Sequence, residues 1–68
     1  MGVSYRKLFK LLIDRKMKKK DLVEAASISP SSMAKLGRDE TVSLEVLIKI
    51  CVALKVDFGD IIEIVPTK

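Results

Sequence analysis

The stretch SISPSSMAKLG, residues 27–37, lies between two apolar segments and decides the fold. Ser29 is a strong candidate for a helix N-cap, because its hydroxyl can accept a hydrogen bond from a free amide of the following turn. Pro30 falls at the first helical position, where its missing N–H has no consequence. The pattern predicts a turn and then a short helix over 30–37. Its first turn is small, polar and exposed, and Gly37 is expected to end it in a left-handed conformation.

Outward from this stretch, apolar residues recur at intervals of three and four, which is typical of helices, and no strand pattern appears. The periodicity predicts an all-α fold of five helices. Their expected bounds are about 4–16, 19–26, 30–37, 44–55 and 58–64, with Ser4, Ser43 and Asp57 as the caps of the first, fourth and fifth.

Composition limits the class of protein. The chain has 68 residues, 49% of them hydrophobic and 4% aromatic, so we expect one domain with an aliphatic core. One cysteine and no histidine exclude an internal disulfide, and they leave neither a nitrogen–sulfur metal site nor a histidine general base. We therefore expect no enzyme activity, no catalytic residue, no metal and no cofactor. Cys51 is predicted to be a buried structural thiol.

Two features of the sequence favour the cytoplasm. No apolar segment approaches the ~20 residues that cross a bilayer, and the N-terminal MGVSYRK lacks the apolar region of a signal peptide. A lone cysteine also suits a reducing compartment. The sequence therefore predicts a cytoplasmic protein with no membrane partner.

Charge is concentrated near the N-terminus. The net charge is +4, but segment 6–20 holds eight cations against the single anion Asp14. This asymmetry indicates a polyanionic partner, either nucleic acid or an anionic membrane surface. The alternative is a lysine-rich solvated face without a partner. A membrane role would require apolar stripes to leave the core of a very small domain, so nucleic acid is favoured.

Two short helices joined by three residues give the spacing of a helix-turn-helix over about 19–37. In that motif the first helix lies across the DNA backbone and the second enters the major groove by its N-terminus. Small side chains at that end let the backbone approach the bases. The spacing predicts double-stranded DNA as the partner, and an ordinary capped turn in a helical bundle is the alternative.

Four segments in order resemble the phage-repressor (Cro/cI-type) helix-turn-helix family, in particular its small stand-alone bacterial members. The segments are SYRKLFKLLIDRKM, KKDLVEAASISPSSMAKLGRDE, VSLEVLIKICVALKV and DFGDIIEIV. The resemblance covers 4–65 and implies a single domain over 1–68 that acts as a sequence-specific transcriptional regulator. No small-molecule effector is evident. Control of a resistance operon is a further role that such a resemblance suggests.

The resemblance implies DNA contacts at nine positions. Phosphate contacts are expected near the start of the second helix, base-facing positions follow the entry of the third, and a last position lies at the groove edge. In this order the residues are Lys18, Lys19 and Lys20; Pro30, Ser31, Ser32 and Lys35; and Arg38, and the N-cap Ser29 is the ninth position. The sequence departs from the family pattern at Ser27, usually a turn glycine, at Val23, usually a smaller residue, and at Lys18, usually a cap.

The fourth helix carries two apolar stripes, more than a small monomer needs. They are Leu44, Leu47, Ile48, Cys51 and Leu54, and then Val46, Ile50 and Ala53. A homodimer through the C-terminal helices would use the surplus and set two recognition helices about one DNA turn, ~34 Å, apart. The alternative is that the second stripe only closes the bundle. The competing function is an antitoxin-like or adaptor module that binds another protein on the same scaffold.

Overall fold

A computed structural model of the chain describes residues 2–66, which form four α-helices, one 3₁₀ turn and two short strands. In chain order they are β1 (Gly2–Ser4), α1 (Arg6–Asp14), α2 (Lys19–Ala26), α3 (Pro30–Gly37), α4 (Leu44–Leu54), the 3₁₀ turn (Phe58–Asp60) and β2 (Glu63–Val65). The helical fold class is confirmed, and α2 and α3 have their expected bounds. Within residues 2–66, no helix has the length and apolarity to cross a membrane.

The expected fifth helix over 58–64 is wrong. The backbone N–H of Asp57 donates to Asp60 Oδ2 at 3.0 Å, which is the start of a helix, but the helical turn ends at Asp60. The chain then extends, and β2 pairs antiparallel with β1. Each strand has three residues, which is too short for an alternating pattern to show in the sequence.

α1 is shorter than the expected 4–16, because the sheet takes Ser4. This buried serine lies in β1, and Tyr5 occupies the cap position of the helix. The Ser4 hydroxyl still accepts a hydrogen bond from the Arg6 N–H at 3.3 Å. Past the end of α1, Lys16 has a left-handed φ of 57° and turns the chain towards α2.

The core is aliphatic around one aromatic ring, that of Tyr5, and α2 packs across α4. Its other fully buried large side chains are Leu8, Leu22, Leu36, Ile50, Leu54 and Ile61. Cys51 is buried, as predicted. Burial raises the pKa of its thiol, and the nearby carboxylates of Asp57 and Asp60 add to that rise.

Two non-glycine residues at the predicted motif have a left-handed backbone, one inside it and one just after it. Ser27, at the turn position, has φ 55° and ψ 44°. The expectation for Gly37 is wrong, since it stays helical and the left-handed residue is Asp39, with φ 55°. The turn is therefore built at Ser27 without the glycine that relieves such a conformation.

Candidate nucleic-acid interface

The start of α2 presents three exposed lysines, Lys18, Lys19 and Lys20. Lys18 occupies the N-cap position, and its side chain cannot accept a hydrogen bond. Asp21 compensates in part, since its Oδ2 accepts a hydrogen bond from the Lys18 N–H at 2.8 Å. Amides of the first turn that lack a capping side chain give this helix end a positive potential, which the three ammonium groups strengthen.

α2 and α3 together form a shallow groove that brings four of the nine predicted positions together. Lys19 and Lys20 line it from α2, Pro30 lines it from α3, and Arg38 lines it from the C-cap position after α3. Its apolar floor includes Met33, which is buried. Cations from one helix thus stand beside the exposed surface of the next.

Lys19 lies where α1, α2 and α3 meet. Its Nζ is 5.4 Å from the centre of the Phe9 ring, a cation–π distance. The same Nζ is 4.0 Å from the place where a Cβ on Gly37 would lie. Phe9 is half-buried, and its ring contacts a predicted site residue, Lys19. The helical spacing of Phe9 alone could not indicate this role.

The serines at the start of α3 form a small network. Ser29 Oγ accepts a hydrogen bond from the Ser32 N–H at 3.1 Å and donates one to Ser32 Oγ at 3.1 Å. Ser29 is the N-cap, as predicted, and its hydroxyl proton is committed to that network. Since Ser32 Oγ is the acceptor, its own hydroxyl proton stays available for a ligand.

A row of exposed side chains runs along α3 at helical spacing. Ser31, Lys35 and Arg38 are four and three residues apart, and all three are exposed. The Arg38 Nε donates to Glu40 Oε2 at 2.5 Å, in a surface ion pair whose side chains are 62% and 47% exposed. Such exposed pairs contribute little stability, so a phosphate can replace Glu40 as the partner of Arg38.

Part of the basic segment 6–20 faces elsewhere. Arg15 Nη1 donates to the Leu54 carbonyl at 2.6 Å, at the C-terminal end of α4. Lys7 Nζ donates to the Gly59 carbonyl at 3.2 Å. Two of the eight cations of segment 6–20 thus contact the C-terminal part of the chain and not the groove.

The loop after α3 is tied to the start of α1. The Tyr5 N–H donates to Asp39 Oδ1 at 3.0 Å, and Tyr5 Oη donates to the Glu40 carbonyl at 2.7 Å. Burial raises the pKa of the Tyr5 hydroxyl, and the Asp39 carboxylate raises it further. The sequence did not predict these two hydrogen bonds of Tyr5, because they join residues more than thirty positions apart.

Comparisons with known proteins agree with the fold. Residues 7–67 match the Cro/C1-type HTH DNA-binding domain. The structure is similar to a crystal structure, form II, of the transcriptional regulator VanUg, with 61% sequence identity and a TM-score of 0.92. That similarity covers 97% of this chain and 88% of the other. Curated protein sequences gave no match.

The family match contains α2, the turn at Ser27 and α3, and extends over most of the chain on either side. The same order of helices had been expected from the four sequence segments. The chain belongs to the Cro/C1-type helix-turn-helix DNA-binding domain family.

Proposed function

We propose that this protein is a sequence-specific, DNA-binding transcriptional regulator, a single domain over 1–68 that places α3 in the major groove. The observation that carries the proposal is the groove that Lys19 and Lys20 of α2 share with Pro30 of α3 and with Arg38 at its C-cap. Phosphate-binding groups and an exposed helix are thereby close enough to engage one duplex. The role is binding and not catalysis.

Lys18, Lys19 and Lys20 are assigned to the DNA backbone. Their ammonium groups surround the positive end of α2, where backbone amides also favour an anion. Contacts of this kind fix the position of a protein on DNA and carry no sequence information. Substituting them should weaken specific and random duplexes alike.

The first turns of α3 are assigned to the bases. Pro30 and Ser31 are exposed at the entry, and Ser32 and Lys35 follow one turn apart. Ser29 supports this surface as the N-cap of α3. Because its hydroxyl donates to Ser32, it can contact DNA only as a hydrogen-bond acceptor. Arg38 is assigned to the groove edge.

We further propose that two copies act together at a palindromic or repeated site, with their recognition helices about one DNA turn apart. The apolar surface of α4 supports this, since Leu44 and Val52 are exposed. A cytoplasmic location and control of a resistance operon remain predictions.

Selection from randomised duplexes at two salt concentrations tests the proposal. We expect one enriched sequence family and an affinity that falls steeply with salt, as condensed counterions are released. Tight binding of another protein, with no preference among duplexes, would instead favour the antitoxin-like or adaptor module. Lys20→Gln is the informative variant, and Lys10→Gln, a substitution of an exposed lysine on α1, is its matched control.

A further inference from the structure

The ion pair of Arg38 with Glu40 lies at the edge of the groove between α2 and α3. Two ion pairs form within residues 2–66, and this is the one that includes a predicted DNA contact. Glu40 is not among the nine predicted positions, and it does not line the groove. A carboxylate is therefore bonded to a cation that the DNA backbone is expected to bind.

The backbone of this loop is fixed on the end of α3. The Glu40 N–H donates to the Lys35 carbonyl at 2.9 Å, and the Arg38 N–H donates to the same oxygen at 3.1 Å. The Glu40 carbonyl accepts a hydrogen bond from Tyr5 Oη at 2.7 Å. The two side chains thus start from set positions, and their pairing requires no ordering of the backbone.

The neighbouring carboxylates have other partners. Asp39 Oδ1 accepts a hydrogen bond from the Tyr5 N–H, and Asp21 Oδ2 accepts one from the Lys18 N–H. Both carboxylates satisfy backbone amides, which is a structural role. The carboxylate of Glu40 is bonded instead to the side chain of a groove cation, so its position concerns the groove and not the fold.

DNA binding and this ion pair exclude each other. A guanidinium binds carboxylate and phosphate through the same N–H groups. If Glu40 kept its hydrogen bond to Arg38, its carboxylate would lie beside the incoming phosphate, and the two anions would repel each other. The Arg38 and Glu40 side chains are 62% and 47% exposed, so both can turn into solvent when the pair opens.

We propose that Glu40 sets the affinity of the DNA site, because its carboxylate competes with the DNA backbone for Arg38. The inference rests on the proposed function, since it requires Arg38 to contact DNA. Backbone contacts carry no sequence information, so the competition lowers the affinity for every duplex by the same factor. Discrimination between sequences is left to the base-facing residues of α3.

Glu40→Gln tests the competition. The substitution removes the charge and leaves the hydrogen bonds of the Glu40 and Arg38 backbone in place. Selected and random duplexes should both bind about two- to fivefold more tightly, which corresponds to the loss of an exposed ion pair. Glu63→Gln, the same change at an exposed carboxylate on β2, is the matched control and should leave the affinity nearly unchanged.

Fluorescence anisotropy measures these affinities, and circular dichroism confirms that each variant folds. Unchanged affinity of Glu40→Gln would overturn the proposal. Weaker binding would overturn it as well, because Glu40 would then orient the Arg38 guanidinium towards DNA and not compete for it.

A double-mutant cycle separates competition from general repulsion. In an Arg38→Gln background there is no ion pair to open, so Glu40→Gln should no longer change the affinity. A gain that persists in this background would come from repulsion between Glu40 and the phosphates, and it would contradict competition for Arg38.

Polyphosphate is a second probe, because it offers phosphate groups without bases. Glu40→Gln should bind polyphosphate more tightly than the wild type, and again only when Arg38 is present. Equal binding by the two proteins, or binding by neither, would overturn the inference. Failure of the wild type to bind any duplex would sink the proposed function, and the polyphosphate titration would still report whether Glu40 competes for Arg38.

Discussion

At the scale of single residues, Lys19 has a special place among the candidate contacts because three helices meet at its ammonium group. The Phe9 ring lies 5.4 Å from its Nζ, and Gly37 leaves open the space beside it. A lysine held in this way loses less side-chain entropy when it binds phosphate than one that moves freely. Phe9 is therefore a positioning residue in this account.

We expect Phe9→Leu to weaken DNA binding about two- to fivefold, which corresponds to an exposed cation–π contact of ~0.5–1 kcal/mol. The slope of log affinity against log salt should stay the same, since no cation is lost. Lys19→Gln should lower that slope by about one. Phe9→Tyr keeps the ring and should restore affinity, and equal weakening by Phe9→Leu and Phe9→Tyr would refute the positioning role. Fluorescence anisotropy at several salt concentrations measures both quantities.

Tyr5 offers a second test at this scale, because its buried hydroxyl joins α1 to the loop after α3. Tyr5→Phe should lower the free energy of unfolding by about 0.5–1.5 kcal/mol, the usual contribution of one hydrogen bond. Chemical denaturation at pH 7 measures the change. No change would mean that the hydrogen bond to the Glu40 carbonyl contributes nothing.

The pH dependence of Tyr5 has a defined sign. Its pKa is raised in the folded state, so its contribution is fully present below the unfolded value of 10.0 and is lost as pH rises through the higher folded value. Stability of the wild type should therefore fall as pH rises from 10.0 towards the folded value, and Tyr5→Phe should show a weaker fall. Denaturation midpoints measured from pH 8 to pH 11 compare the two.

At the scale of elements, capping and turn residues fix the ends of α2 and α3. This is why the bounds of these two helices could be predicted. Ser29 and Pro30 fix the start of α3 by local hydrogen bonding and backbone geometry alone. The end of the chain could not be predicted in this way. Its short apolar run is ambiguous between helix and strand, and pairing with β1, about sixty residues away, decides the outcome.

The turn between α2 and α3 gives the prediction for this scale. Ser27 has a left-handed backbone, which costs a non-glycine residue about 1–2 kcal/mol. Ser27→Gly should raise stability by about 0.5–1 kcal/mol, because the greater freedom of glycine in the unfolded chain offsets part of the relief. Thermal and chemical denaturation measure it.

Ser31→Gly is the matched control, as the same substitution inside a helix should lower stability. If both variants were destabilised alike, the left-handed strain at Ser27 would have no energetic consequence.

At the scale of the whole molecule, net charge and helix order could be predicted from composition and periodicity, but the partition of the cations could not. Arg15 caps the end of α4, while Lys20 lines the groove beside α3. Only the fold determines which surface each reaches, since the two lie five positions apart in one basic segment. The candidate site is thus smaller than the charge run suggests.

We therefore expect Arg15→Gln to lower the free energy of unfolding by about 0.5–1.5 kcal/mol, through the lost hydrogen bond to the Leu54 carbonyl. The salt slope of DNA binding should not change. Lys20→Gln should leave the free energy of unfolding unchanged and should lower the salt slope of DNA binding by about one. A lower slope for Arg15→Gln would place this guanidinium on the DNA and contradict the division of charge.

The most direct test compares Lys20→Gln with Lys35→Ala on the selected duplex and on a random duplex of equal length. The account predicts that Lys20→Gln weakens both duplexes by the same factor. Lys35→Ala should weaken the selected duplex more, by up to the ~1–3 kcal/mol of a base contact. Equal losses on the two duplexes from Lys35→Ala and Ser32→Ala would contradict the claim that α3 reads the bases.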